Sequence, residues 1–190
     1  MSIEVKISKT QVSYKIAMKF LDKRVEKLKK NKGKELLWVL EHPTTYTAGI
    51  RSNTREIIDK NIKIINTKRG GKITLHNPGQ KIIYLVLDLN RRKKDIRKFI
   101  RLIEKTIIET INEFGIKTFN DKKNIGIWYK DKSKIKKVAT IGLKVSKWIA
   151  YHGFAINIKN DLTRYKNIIP CGISDKEVTN LNTIKDQNYN

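Results

Sequence analysis

Residues 94 to 115, KDIRKFIRLIEKTIIETINEFG, place Ile96, Phe99, Ile100, Ile103, Ile107, Ile111 and Phe114 three and four positions apart. That period lines one face of a helix, and Gly115 supplies its natural stop. A second such face runs over residues 14 to 28 through Tyr14, Ala17, Met18, Leu21, Val25 and Leu28, with lysine and arginine opposite. Each apolar stripe needs a surface to cover it, and the remaining apolar blocks read as strands. These are ELLWVLEH (35–42), NIKIIN (61–66), KIIYLVLDL (81–89), NIGIWYK (124–130), KKVATIGLKVSK (136–147) and WIAYHGFAINI (148–158). The pattern predicts one α+β domain over residues 1–190, with a mixed or antiparallel sheet flanked by at least two helices.

With one cysteine, no internal disulfide is possible, and the fold must rest on its core. No apolar run has signal-peptide character or approaches the ~18 residues of a membrane span, so the expectation is a cytoplasmic protein that neither enters nor crosses a membrane. The basic helix at 14–28 suits either a membrane surface or a sheet, and the sheet is preferred. The formal charge of +24 is compatible with nucleic acid, with acidic protein partners, or with a general lysine bias, since the lysines are scattered over every segment.

Two stretches carry chemical interest. KRGGKITLHNPGQK (68–81) joins paired glycines to Arg69, a forked donor for carboxylate, phosphate or carbonyl. It fits a ligand-binding loop or a plain hairpin turn, and it is neither a Walker loop nor a dinucleotide fingerprint. The other is NIIPCGISDKEVTNL (167–181), which holds Cys171 between Pro170 and Gly172. A lone cysteine is commonly a small buried hydrophobe, whereas these flanks place it in a loop, where a nearby ammonium favours the thiolate. His42, His76 and His152 have no metal-ligand spacing and read singly as structural.

In order along the chain, ELLWVLEHPTTYTAGIRSN, RGGKITLHNPGQKIIYLVLDL, GIWY, KKVATIGLKVSKWIAYHGFAINI and IIPCGISDKEVTNL resemble the octanoyltransferases of lipoate biosynthesis. The likeness runs from about Tyr14 to Leu181, and parts of it are shared with lipoate and biotin protein ligases. It implies the fold of those ligases' catalytic domain and a single octanoyltransferase domain. Cys171 matches the acyl-thioester nucleophile. Lys137, three residues before Thr140-Ile141-Gly142, matches the lysine that favours its thiolate and serves as general acid and base, with Lys136 on the opposite strand face. The acyl pocket is implied along Arg69, Gly70, Gly71, Lys72, Ile73, Thr74, Leu75 and His76. Its other wall is implied at Thr140, Ile141, Gly142, Gly153, Phe154 and Ala155.

The resemblance further implies octanoyl-acyl carrier protein as donor. The implied acceptors are lipoyl domains of 2-oxo acid dehydrogenases and the glycine cleavage H protein. No cofactor, metal or nucleic acid is implied, and the enzyme is expected to act as a monomer. Two positions depart from the family. Asn77 replaces a usual glycine and is expected to tolerate a left-handed backbone, and Asn180 replaces a common serine. The rival readings are an ATP-dependent lipoate-protein ligase and a non-catalytic nucleic-acid binder.

Overall fold

A computed structural model describes residues 2–170, 177–187 and 189. The two long helices are α1 (Tyr14–Lys29) and α2 (Ile96–Glu113), with a short α3 (Leu181–Ile184) near the C-terminus. The first strands in chain order are β1 (Ile3–Ile7), β2 (Glu35–Leu40), β3 (Thr45–Ala48), β4 (Ile64–Asn66), β5 (Ile73–His76) and β6 (Gln80–Asp88). After α2 come β7 (Phe119–Asn120), β8 (Ile127–Asp131), β9 (Lys134–Ser146), β10 (Ile149–Asn157) and β11 (Glu177–Val178). Among the described residues they form a large mixed sheet in the order β1-β2-β6-β10-β9-β8-β7, with β11 added beside β9, and a small sheet in the order β4-β3-β5. This is the expected α+β architecture.

Alternation along the strands explains why both faces of the large sheet are covered. On one face Ala17, Leu21, Val25 and Leu28 of α1 pack with Leu36, Trp38, Ile82 and Val86. The intervening residues Leu85, Leu87 and Ala150 point the other way and meet Ile103, Ile107 and Ile111 of α2. The basic helix is therefore a sheet-packing helix. Asp95 caps α2 by accepting from the Lys98 N–H at 2.8 Å, and Gly115, at φ +75, turns the chain out of it. No helix among the described residues is long and apolar enough to cross a membrane.

The small sheet has its own core, in which Tyr46, Ile73 and Leu75 pack with Tyr165 and Ile168. Buried amides join it to the C-terminal segment. The Gln80 amide donates to Asn157 Oδ1 at 2.9 Å, and Asn157 donates to the Thr179 carbonyl at 3.0 Å. Asn160 donates to Asn77 at 3.0 Å, while Asn77 donates to the Asp161 carbonyl at 2.8 Å. Asn77 does not adopt the expected left-handed backbone; its side chain clamps the 160s loop, and Gly79 two residues on carries the positive φ of +83. Asn180, in place of serine, caps α3 from Oδ1 and donates to the Asn160 carbonyl at 3.0 Å.

Candidate active site

A cavity opens on the α1 face of the large sheet, where the small sheet and the Arg69 loop lean over it. Thr140, Ile141 and Gly142 of β9 and Gly153, Phe154 and Ala155 of β10 form one wall, held in register by the Gly153–Gly142 pair. Arg69, Gly71 and Lys72 of the loop and Thr74 and His76 of β5 form the other. The remaining expected residues do not line it. Because β5 alternates, Ile73 and Leu75 turn away into the small core and support the wall from behind. Gly70 ties the loop to β9 by donating its N–H to the Leu143 carbonyl at 3.0 Å.

Arg69 is buried, and its fork holds the loop to β3. Nη2 donates to the Thr47 carbonyl and hydroxyl, both at 2.9 Å, and Nη1 donates to the Gly70 carbonyl at 3.0 Å. All three histidines converge near the cavity. His42 Nδ1–H donates to the Val12 carbonyl at 2.5 Å, which leaves Nε2 to accept from the Tyr84 hydroxyl at 2.8 Å. His76 meets Gln80 Oε1 through Nδ1 at 2.7 Å. The Gln80 nitrogen is committed to Leu75 and Asn157, so the His76 ring is the donor and its Nε2 keeps a lone pair. The Tyr14 ring lies against both imidazoles, 5.3 Å from His42 and 6.0 Å from His76.

Burial holds all three rings neutral. It pushes His76 down to about 3, with His42 and Arg69 adding to the effect, and it lowers His42. Burial likewise takes His152 to about 3, reinforced by the Arg69 and Lys144 charges. His152 is the unusual member. It sits at φ +66, stacks on Tyr151 with centroids 5.0 Å apart, and its buried Nδ1 has no hydrogen-bond partner among the described residues. Among the described residues, no group of three His, Cys, Asp or Glu side chains is placed to hold a metal ion.

The two candidate lysines differ sharply. Lys136 is half-buried and ion-paired, 2.8 Å from Asp131 and 3.5 Å from Glu177. Lys137 is only 5% exposed, makes no ion pair among the described residues, and holds Nζ 4.5 Å above the Trp128 ring, a cation–π contact. The indole is fixed by its own N–H, which donates to the Asn124 carbonyl at 3.0 Å. The β8–β9 register slips at Ile127/Trp128, with Ile127 opposite Ala139 and Trp128 opposite Lys137. Val138 is thus an extra residue, and Lys137, Val138 and Ala139 are all buried where simple alternation would expose one. Gly126, at φ +134, leaves the space that the Lys137 side chain crosses.

Cys171 lies outside the described residues. The chain on its N-terminal side is held by the Ile169 N–H, which donates to the Glu56 carbonyl at 2.8 Å. On its C-terminal side β11 pairs in parallel with β9, Val178 standing opposite Lys137, and the Thr179 N–H donates to the Lys137 carbonyl at 2.9 Å. The cavity also uses Tyr14, Ile82, Tyr84 and His152, which sequence reasoning did not assign to it. Tyr14 and Ile82 read as ordinary core positions, and only the paired packing of α1 and β10 brings Tyr14 and His152 to the same cavity.

Residues 13–190 match the family model described as the lipoyl protein ligase A/B catalytic domain. Two curated relatives are octanoyltransferases. The one from Anaplasma phagocytophilum (strain HZ) is 41% identical over 97% of this chain and 89% of its own length. The one from Bartonella bacilliformis (strain ATCC 35685 / KC583 / Herrer 020/F12,63) is 42% identical over 94% of this chain and 78% of its own. Among solved structures, the putative lipoate protein ligase Ta0514 of T. acidophilum with bound lipoic acid superposes with a TM-score of 0.74. It is 16% identical, and the match covers 100% of this chain and 80% of that one.

Proposed function

The chain belongs to the lipoyl protein ligase A/B catalytic-domain family, within its octanoyltransferases, and we propose that it transfers an octanoyl group through an acyl-Cys171 intermediate. The enzyme is an acyltransferase of protein lipoylation, and lipoyl domains are its acceptors. Octanoyl-acyl carrier protein is the donor in this reading. The Cys171 thiolate attacks the donor's thioester carbonyl, and the tetrahedral adduct expels the carrier thiolate, which takes up a proton. The ε-amine of the acceptor lysine then attacks the acyl-cysteine, loses a proton and leaves as an amide, regenerating the cysteine thiolate. One difficult transfer becomes two easier ones.

The single observation that carries the reading is the setting of Lys137. A buried ammonium with no carboxylate partner among the described residues stands beside the strand that leads out of the Cys171 segment. Its charge favours a thiolate, and in the second half its amine accepts the proton of the incoming lysine. Thr140–Gly142 and Gly153–Ala155 on one side, and Arg69–Lys72 with Thr74 and His76 on the other, receive the acyl chain. The whole chain is one catalytic domain in this account, working as a cytoplasmic monomer.

The test is intact-mass analysis after mixing with octanoyl-carrier protein and no nucleotide. The parent protein gains one octanoyl unit that passes on to a lipoyl domain, and Cys171→Ala gains none. An adduct on Cys171→Ala, or a strict need for ATP, refutes the covalent route. Lys137→Ala slows alkylation of Cys171 by iodoacetamide at neutral pH, with recovery as pH rises, whereas Lys136→Ala leaves it near the parent rate.

A further inference from the structure

We propose that Tyr14 and His152 form a partition at the inner end of the acyl cavity and set the longest chain it accepts. This rests on the acyl-transfer reading above and adds to it a limit on substrate length. The observation is that two cavities meet at these two side chains. Beyond the acyl cavity lies a wider groove between α1, the β4 rim and the β9–β10 hairpin. Tyr14 and His152 line both, and no other described residue does.

Strand β9 orders the features along one axis. Lys137 stands at its start, Thr140 to Gly142 line the acyl cavity, and Lys144 and Ser146 line the groove. His152 pairs with Leu143, between the two. A chain whose carbonyl is near Lys137 therefore has its methyl end toward the partition. From Thr140 to the residue opposite His152 the strand advances about 10 Å at ~3.4 Å per residue. An extended eight-carbon chain spans about 9 Å, given C–C bonds of ~1.5 Å.

Chemistry and shape agree at that point. His152 Nδ1 is buried without a hydrogen-bond partner among the described residues, and beside it the buried Tyr14 hydroxyl faces Thr67 and Arg69. Methylenes pressed against this polar pair would keep any water or polar group from the desolvated His152 Nδ1, which is unfavourable. A chain that passed between them would emerge in an open groove lined by Lys15, Lys19, Lys23, Lys68 and Lys144, where its methylenes gain little burial. The backbone of His152 is also informative. At φ +66 a glycine is at home, so His152→Gly removes the partition without strain at that residue.

The experiment compares kcat/KM for acyl-pantetheine thioesters of eight and twelve carbons in the parent, Tyr14→Ala, His152→Gly and Tyr14→Phe proteins. Each methylene newly buried is worth about fourfold. The twelve-to-eight ratio should therefore rise at least about tenfold in Tyr14→Ala and His152→Gly. Tyr14→Phe keeps the ring and should keep the parent ratio. Where Tyr14→Ala loses stability, His152→Gly decides. Calorimetric titration with octanoate and dodecanoate gives the same ratio without turnover. An unchanged ratio in His152→Gly by both readouts overturns the partition. If the parent moves no acyl group from any donor, the acyl-transfer reading falls, and the titration still reports on the partition separately.

Discussion

Replacing Gly126 with alanine separates the placement of Lys137 from the stability of the fold. The new Cβ would lie 2.8 Å from the Ala139 carbonyl oxygen, 3.3 Å from Lys137 Cε and 3.6 Å from Nζ. The Ala139 backbone is paired on both edges, with Ile127 and with Ile156, so its 2.8 Å clash costs stability, while the flexible Lys137 side chain yields to the new methyl. An L-residue at φ +134 adds strain of about 1–3 kcal/mol. For a chain of this size that lowers Tm by roughly 2–4 °C per kcal/mol. A displacement of Nζ on the order of 1 Å costs about 10²-fold in transfer, or roughly 2.7 kcal/mol.

The control is Gly115→Ala, where φ is +75 and the new Cβ would meet only the flexible tip of Lys185 at 3.1 Å. Gly126→Ala should melt lower than Gly115→Ala, because it alone meets a backbone atom below 3.0 Å, so transfer is compared per folded molecule. Octanoyl transfer per folded molecule, and iodoacetamide alkylation of Cys171, should fall only in Gly126→Ala. Equal transfer by the two variants would show that the crowding at Gly126 has no bearing on the lysine, and the reasoning would fail.

Two further outcomes follow from the histidines and from Asn77. His76 and His152 titrate near 3 when folded against 6.5 as the ordinary value, so the unfolded chain binds more protons between those limits. Stability is fully present above about pH 6.5 and falls as pH is lowered toward 3, by up to about 1.4 kcal/mol per pH unit for each ring. Urea unfolding at pH 7, 6 and 5 measures this, and His152→Gly should flatten the slope by one proton; an unchanged slope contradicts the burial account. Asn77→Gly restores the residue usual in the family yet removes two side-chain hydrogen bonds, one of them buried, and should destabilise by about 1–3 kcal/mol. A variant as stable as the parent would mean that the amide clamp contributes nothing.

Long periodic elements were readable from the chain because one stripe over five turns leaves no competing interpretation. Ile103, Ile107 and Ile111 of α2 are the clearest case. Of the three-stranded sheet only β4 was readable, inside NIKIIN, since β3 and β5 span four residues each and carry no period. Reading residues 69–76 as one pocket segment overlooked the alternation of β5, which divides Thr74 and His76 from Ile73 and Leu75. The burial of Lys137 beside Val138 and Ala139 depends on a bulge, and a bulge leaves no mark in a hydrophobic pattern. Tyr14 and His152 lie 138 residues apart, and nothing local announces that they share a cavity.

The amides around Asn157 have a consequence for an enzyme of net charge +24. The hold on Thr179, and through the Thr179 N–H on the Lys137 carbonyl, is made by neutral donors and acceptors. Screening by salt, which weakens exposed ion pairs such as Lys134–Glu177, has almost no purchase on buried neutral dipoles. Ionic strength can therefore weaken pairing at the lysine-rich surface while the scaffold behind Lys137 stays as it is. Salt acts on the exposed ion pairs and leaves the Lys137 strand alone, because the first are made of charge and the second is held by amides.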